Sequence, residues 1–228
     1  MTFLSPEWLS ALASIVLIDL ILAGDNAIVI ALAARSLPTH LQKKAILWGT
    51  VGAIVVRSLM TLVVVWLLQI PGLMLAGGLG LVWIAYKLLV PGGDEEHGGA
   101  GATTFFGAMK TIIVADALMG VDNVLGVAGA AHGAFDLVVI GLLISVPIVV
   151  WGSSVVLKLV DRFPVISYLG AGVLAFTAAK MIVGEPLLKP VFDPNEVARW
   201  AVYAVVIAGV LLAGRMMARR AEAHTGAA

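Results

Sequence analysis

Two acid pairs interrupt an otherwise apolar chain, and each ends in an asparagine. Ile18-Asp19-Leu20-Ile21-Leu22-Ala23-Gly24-Asp25-Asn26-Ala27 aligns with Ala115-Asp116-Ala117-Leu118-Met119-Gly120-Val121-Asp122-Asn123-Val124, both acids and the asparagine in register. Ala31, Ala33 and Ala34 continue the match at Ala128, Ala130 and Ala131. Carboxylate and amide oxygens are hard ligands. Gathered around one point, Asp19, Asp25, Asn26, Asp116, Asp122 and Asn123 would offer six or more of them, a donor set suited to Mn²⁺, Ca²⁺ or Mg²⁺ rather than zinc or copper. The chain has no cysteine, which excludes disulfides, iron–sulfur clusters and thiolate metal sites.

The elements that carry these acids are read from composition. Of 228 residues, 61% are hydrophobic and 12% charged, more apolar surface than a soluble domain of this size can hide. A crossing of a ~30 Å hydrocarbon layer takes roughly 20 apolar residues as a helix. Seven runs suffice: Trp8 to Ala34, Ala45 to Leu68, Leu73 to Val90, Phe106 to Ala131, Leu137 to Leu157, Val165 to Val183 and Trp200 to Met217. They are continuously apolar and about twice as long as the alternating segments of a membrane barrel, so the expected fold is an all-α membrane protein with seven transmembrane helices. The breaks expected between them are Arg35 to Lys44, Gln69 to Gly72, Pro91 to Thr104, His132 to Asp136, Lys158 to Pro164 and Glu185 to Arg199. Met1 to Leu9 lacks the basic stretch of a signal peptide, so the first span is expected to persist in the mature protein. Fourteen Lys and Arg balance fourteen Asp and Glu, leaving no basic surplus for nucleic acid. The expected partners are a divalent metal ion and the lipid bilayer, with homo-oligomer formation left open.

Counted over alternate loops, Arg35, Lys43, Lys44, Lys87, Lys110, Lys158, Arg162, Arg215, Arg219 and Arg220 fall on one side, and mainly Lys180, Lys189 and Arg199 on the other. The positive-inside rule then predicts the N-terminus outside and the C-terminus in the cytoplasm. The repeat extends from Pro71, Gly77, Ala85 and Lys87 to Pro164, Gly170, Ala178 and Lys180. Two three-helix units are implied, residues 1–90 and 106–184, joined by a cytoplasmic linker at 91–105 and followed by a seventh helix and basic tail at 185–228. Three is odd, so the second unit must enter the membrane from the opposite side. The units are then inverted repeats, the plan of many secondary transporters.

Asp19 and Asp116 fall near the middle of their spans, and one such acid costs roughly 2.5 to 3.5 kcal/mol even on a lenient scale. Four would cost on the order of 10 kcal/mol, so something must compensate. Pairing with bases is the structural alternative, but the one base deep in a span is Arg57, expected to act as a partial counter-charge. On an unbroken helix Asp19 and Asp25 point about 120° apart. Helix interruptions near Leu22 to Asp25 and Met119 to Asp122, helped by Gly24 and Gly120, would turn both acids toward one centre. Straight helices whose glycines serve close packing are the plainer alternative.

A paired acid with Gly-Asp-Asn six residues later, repeated with Val-Asp-Asn in the fourth of seven spans, resembles the TerC family of integral membrane proteins, particularly its YjbE-like branch. The likeness covers nearly the whole chain. It implies a multi-pass protein of the bacterial inner membrane that exports Mn²⁺ from the cytoplasm, within a superfamily that includes the lysine exporters. Family members often carry Glu where Asp19 stands, so this chain keeps the acid with a shorter reach. Asp25-Asn26 and Asp122-Asn123 match the family pattern outright. Manganese and export rest on the resemblance; the residues alone indicate a hard cation, carried as substrate, and a membrane path, with proton coupling compatible with the charge balance.

The alternative from the same superfamily is an exporter of amino acids or small solutes whose aspartates carry protons. An intramembrane aspartyl protease is set aside, because Leu22-Ala23-Gly24-Asp25 lacks the Gly-x-Gly-Asp signature, and no enzyme activity is expected. His40, His97, His132 and His224 fall in expected loops or the tail, and Asp94-Glu95-Glu96-His97 reads as a solvated loop. Gly49/Ala53, Gly129/Gly133 and Ala204/Ala208 read as helix-packing contacts.

Overall fold

The computed structural model describes residues 4–67, 70–90, 104–131 and 135–225, with side chains described at all of these except 21–23, 64–65, 122–126, 128–130, 135 and 218–225. Among the described residues there are eight helices and no strand: α1 (Pro6–Ala34), α2 (Thr39–Leu67), α3 (Leu73–Leu89), α4 (Phe105–Ala131), α5 (Phe135–Arg162), α6 (Val165–Gly184), the single turn α7 (Lys189–Phe192) and α8 (Glu196–Thr225). The apolar runs thus mark the long helices closely. Several expected breaks are shorter than the sequence implied: α8 begins at Glu196, and α7 lies within the break expected from Glu185 to Arg199. The helix α2 begins already at Thr39, placing exposed His40 in its first turn, and α5 continues through Lys158 to Arg162, because nothing before Pro164 stops it. Ser5 caps α1, its Oγ accepting the Trp8 N–H at 3.2 Å, with Pro6 at the first helical position.

Among the described residues, four helical stretches are long and apolar enough to cross a membrane: Thr39–Val63, Asp136–Arg162, Val165–Gly184 and Glu196–Met217. The helix α1 makes a fifth when its two arms, Pro6–Leu20 and Gly24–Ala34, are taken as one span bent by 48°. The predicted interruption is therefore a bend. Helical structure continues through Leu22 to Asp25, and likewise through Met119 to Asp122 in α4. In apolar surroundings an opened turn would strand peptide groups, and a bend re-aims the helix while keeping its hydrogen bonds.

The helices pack in three principal pairs, α1 on α5, α2 on α4 and α3 on α6, with α8 laid against α6 and α3. Missing side chains set the close approaches. A Cβ at Gly49 would stand 2.7 Å from Ile112 Cδ1, one at Gly52 2.5 Å from Ile113 Cδ1, and one at Gly141 2.5 Å from Ile15 Cγ2. Gly49 is thus the packing contact expected of it. Ala204 and Ala208 are exposed and are not, and the packing of Gly129 and Gly133 lies outside the described residues.

Two buried apolar layers lie at different heights along these pairs. One joins Trp8, Ala11 and Ile15 of α1 to Val127 and Ala131 of α4 and Leu137, Val138 and Leu142 of α5. The other joins Ile30, Ala31, Ala33 and Ala34 of α1 to Ile46 of α2, Ile112 of α4 and Val149 and Leu157 of α5. Asp19, Asp116 and Ser145 fall between the two layers along α1, α4 and α5 respectively.

Candidate functional site

Between the apolar layers α1, α2, α4 and α5 surround a small cavity of about 20 Å³, lined by both polar and apolar side chains. From α1 come Asp19, Asn26 and Ile30; from α2 Thr50, Ala53, Ile54 and Arg57; from α4 Asp116; from α5 Ser145, Val146 and Val149. The spacings explain the selection. Seven residues make nearly two turns, so Asn26 falls on the face of Asp19, and Thr50 on the face of Arg57. Asp25 is one residue off that face. It is half-buried, absent from the cavity lining, and its Oδ1 accepts the Asn26 N–H at 3.0 Å.

The Arg57 guanidinium stands between the two midspan acids. Its Nη1 donates to Asp19 Oδ1 and its Nη2 to Asp116 Oδ1. All three residues are buried, with exposures of 5% for Arg57, 3% for Asp19 and 7% for Asp116. The base pairing set aside as an alternative is therefore realised for two of the four acids, and Arg57 is their direct counter-charge. Two carboxylates against one guanidinium leave a formal −1 in a buried centre. Such a charge is expensive to bury, and the arrangement is poor as a stability device.

Among the described residues, four buried polar atoms have no hydrogen-bond partner: Asn26 Oδ1, Thr50 Oγ1, Arg57 Nε and Asp116 Oδ2. All four belong to residues lining this one cavity. Native interiors satisfy nearly all such groups, so their convergence sets this cavity apart from the rest of the described interior. Ser145 Oγ donates to the Leu142 carbonyl at 2.8 Å and keeps its lone pairs available. Of the six expected ligands, the structure brings Asp19, Asn26 and Asp116 to the cavity and leaves Asp25 beside it. The side chains of Asp122 and Asn123 lie outside the described residues. Among the described residues no three His, Asp or Glu side chains gather around a common point.

Thr50 and Ser145 were not singled out from the sequence. Thr50 carried a signal, lying seven residues before the buried Arg57; Ser145 carried none. Glu185, expected in a loop, is also structural. It ends α6, is 1% exposed, and its Oε1 accepts the Gly72 N–H at 3.0 Å while Oε2 accepts the Leu75 N–H at 3.2 Å. A side chain of α6 thus caps the start of α3, where Gly72 takes a left-handed φ of 81°. Burial pushes the Glu185 pKa up, but backbone N–H bonds from Gly72, Leu75, Leu187 and Met74 outweigh it and hold the carboxyl below its ordinary range.

Comparison with known proteins agrees with this helical membrane architecture. The chain is 42% identical over 207 residues to the uncharacterized membrane protein YjbE of Bacillus subtilis, covering 91% of this chain and 94% of that one. It is 26% identical over 203 residues to the inner membrane protein YgdQ of Escherichia coli, covering 82% of each. It is 27% identical over 183 residues to the uncharacterized membrane protein YkoY of Bacillus subtilis, covering 72% of this chain and 54% of that one. No solved structure matches significantly. Residues 4–222 match the family described as "Integral membrane protein TerC family", and the chain belongs to that family.

Proposed function

We propose that this protein is a secondary transporter of the bacterial inner membrane, not an enzyme, and that it exports a hard divalent cation, foremost Mn²⁺, from the cytoplasm. The observation that carries the reading is the convergence of four unpartnered buried polar atoms, on Asn26, Thr50, Arg57 and Asp116, upon one cavity that also holds Asp19. Oxygen donors without sulfur or imidazole favour a hard cation, and the resemblance of the acid–Asp–Asn pattern selects manganese.

The proposed topology has seven spans, N-terminus outside and C-terminus inside, as two inverted three-helix repeats with α8 appended. The reciprocal pairing of α1 with α5 and of α4 with α2 supports it, since exchanging the two units maps one pair onto the other. The two apolar layers serve as alternating seals, so that movement of one repeat against the other opens the cavity to one side at a time. In the loaded state Asp19, Asn26 and Asp116 hold the cation, and Asp25, Asp122 and Asn123 join the ligand set as the repeats move. The location in the inner membrane follows YgdQ, a relative named for it.

The test is Mn²⁺ flux in vesicles reconstituted with the full chain. Saturable flux in the wild type and its loss in Asp19→Asn and Asp116→Asn are expected. Saturable transport of an amino acid independent of any divalent cation would assign the cavity to a small-solute exporter instead.

A further inference from the structure

The guanidinium of Arg57 occupies the position that a cation shared by Asp19 and Asp116 would take. Its two terminal nitrogens each hold one oxygen of a carboxylate from a different half of the chain, α1 and α4. Those same oxygens are the ones a dication would need. Asp116 Oδ2 and Arg57 Nε remain without partners, so the guanidinium is held at two points and leaves bonding capacity around it unused. The rest of the cavity wall offers Asn26, Thr50 and Ser145 and no further charge among the described residues.

Resting on the transport reading above, we propose that Arg57 is a tethered surrogate for the transported cation: its guanidinium bridges Asp19 and Asp116 when no dication is loaded, yields its place when one binds, and returns when it leaves. Charge balance supports exclusive occupation. Two carboxylates with the guanidinium sum to −1, and with a dication in its place to zero. Holding both cations would crowd like charges into one apolar-walled site, which neither tolerates. The surrogate also makes the return step feasible. Without it the unloaded site would carry −2 between two apolar layers as the repeats move, and an unneutralised pair of carboxylates at membrane depth is costly to reorient. With it, the unloaded protein can return, so export runs as net flux instead of only as exchange of one Mn²⁺ for another.

The experiment compares two modes in vesicles containing the full chain and loaded with radioactive Mn²⁺: efflux into Mn²⁺-free medium, which needs the unloaded return, and efflux into medium containing Mn²⁺, which does not. In Arg57→Met the ratio of exchange to net efflux is expected to rise at least ten-fold over wild type, and Mn²⁺ should bind at least ten-fold tighter by calorimetry because a competitor has been removed. Arg57→Lys keeps a charge but cannot bridge two carboxylates in the planar, forked manner of arginine, so its ratio should fall between the two. An unchanged ratio in Arg57→Met, or equal loss of both modes in a folded variant that still binds Mn²⁺, overturns the proposal. If Arg57→Met does not fold, Arg57→Lys decides: a ratio equal to wild type overturns it and a raised ratio supports it. Absence of flux in both modes for the wild type itself would instead overturn the transport reading, and this inference with it.

Discussion

Asp19 and Asn26 share one face of α1 and one cavity, while Asp25, adjacent to the asparagine, stands outside its lining. The amide sits two turns from the midspan acid, and a bend of 48° between them does not bring the intervening acid round. Loss of a ligand should weaken binding, whereas loss of a group that joins only as the repeats move should slow turnover. Asn26→Ala is therefore expected to raise the KM for Mn²⁺ about ten-fold, and Asp25→Asn to lower kcat with KM changed less than three-fold. Initial rates across a range of Mn²⁺ concentrations separate the two.

Arg57 is the counter-charge for two buried acids, and removing one partner of a buried ion pair typically costs about 3–5 kcal/mol. Arg57→Met should lower the Tm of the detergent-solubilised protein accordingly. The triple variant Arg57→Met, Asp19→Asn, Asp116→Asn should recover most of that loss, because neutral groups of similar shape leave no charge uncompensated. A triple variant no more stable than Arg57→Met would show that the guanidinium supports the fold by packing alone.

Glu185 ties α6 to the start of α3 through charge-assisted bonds, a type worth roughly 1.5–3 kcal/mol each. Its pKa is depressed by folding, so its stabilisation is complete above the unfolded value of about 4.3 and fades as pH falls through the lower folded value. Glu185→Gln should be less stable than wild type at neutral pH, and the gap should narrow on acidification. Thermal unfolding at several pH values checks the sign; a gap that widens in acid contradicts it.

Two glycines should respond in opposite directions to alanine. A Cβ at Gly78 would lie 2.8 Å from the Ala178 carbonyl oxygen and 2.8 Å from Ile182 Cγ1, so α3 and α6 must separate, at a cost of about 1–3 kcal/mol. At Gly120 a Cβ meets nothing within 4 Å among the described residues, and alanine gains about 1 kcal/mol of helix propensity. Gly78→Ala should lower Tm and Gly120→Ala raise it.

Much of the architecture was legible in the residues themselves. Apolar length marks helices in a membrane protein because lipid leaves the backbone no other partner, and so the ends of α3, α4 and α6 fall within one residue of the apolar runs. The misjudged ends, at Thr39, Arg162, Glu196 and Thr225, carry charged residues on helical turns that continue beyond the apolar stretch, where composition changes but hydrogen bonding does not. Glu185 was invisible as a cap because its partners lie more than a hundred residues away.

The duplicated acid–Asp–Asn pattern identified, from local spacing alone, which segments carry the chemistry, since residue type and separation are properties of the chain. Which of those groups meet was decided by packing. Whether α1 opened or bent chose between Asp25 and Asn26 as the neighbour of Asp19, and the seating of α2 against α4 brought Arg57 between two acids from separate halves. Such choices depend on how helices distant in sequence share one buried interior, where charge must find charge, and no local pattern encodes that.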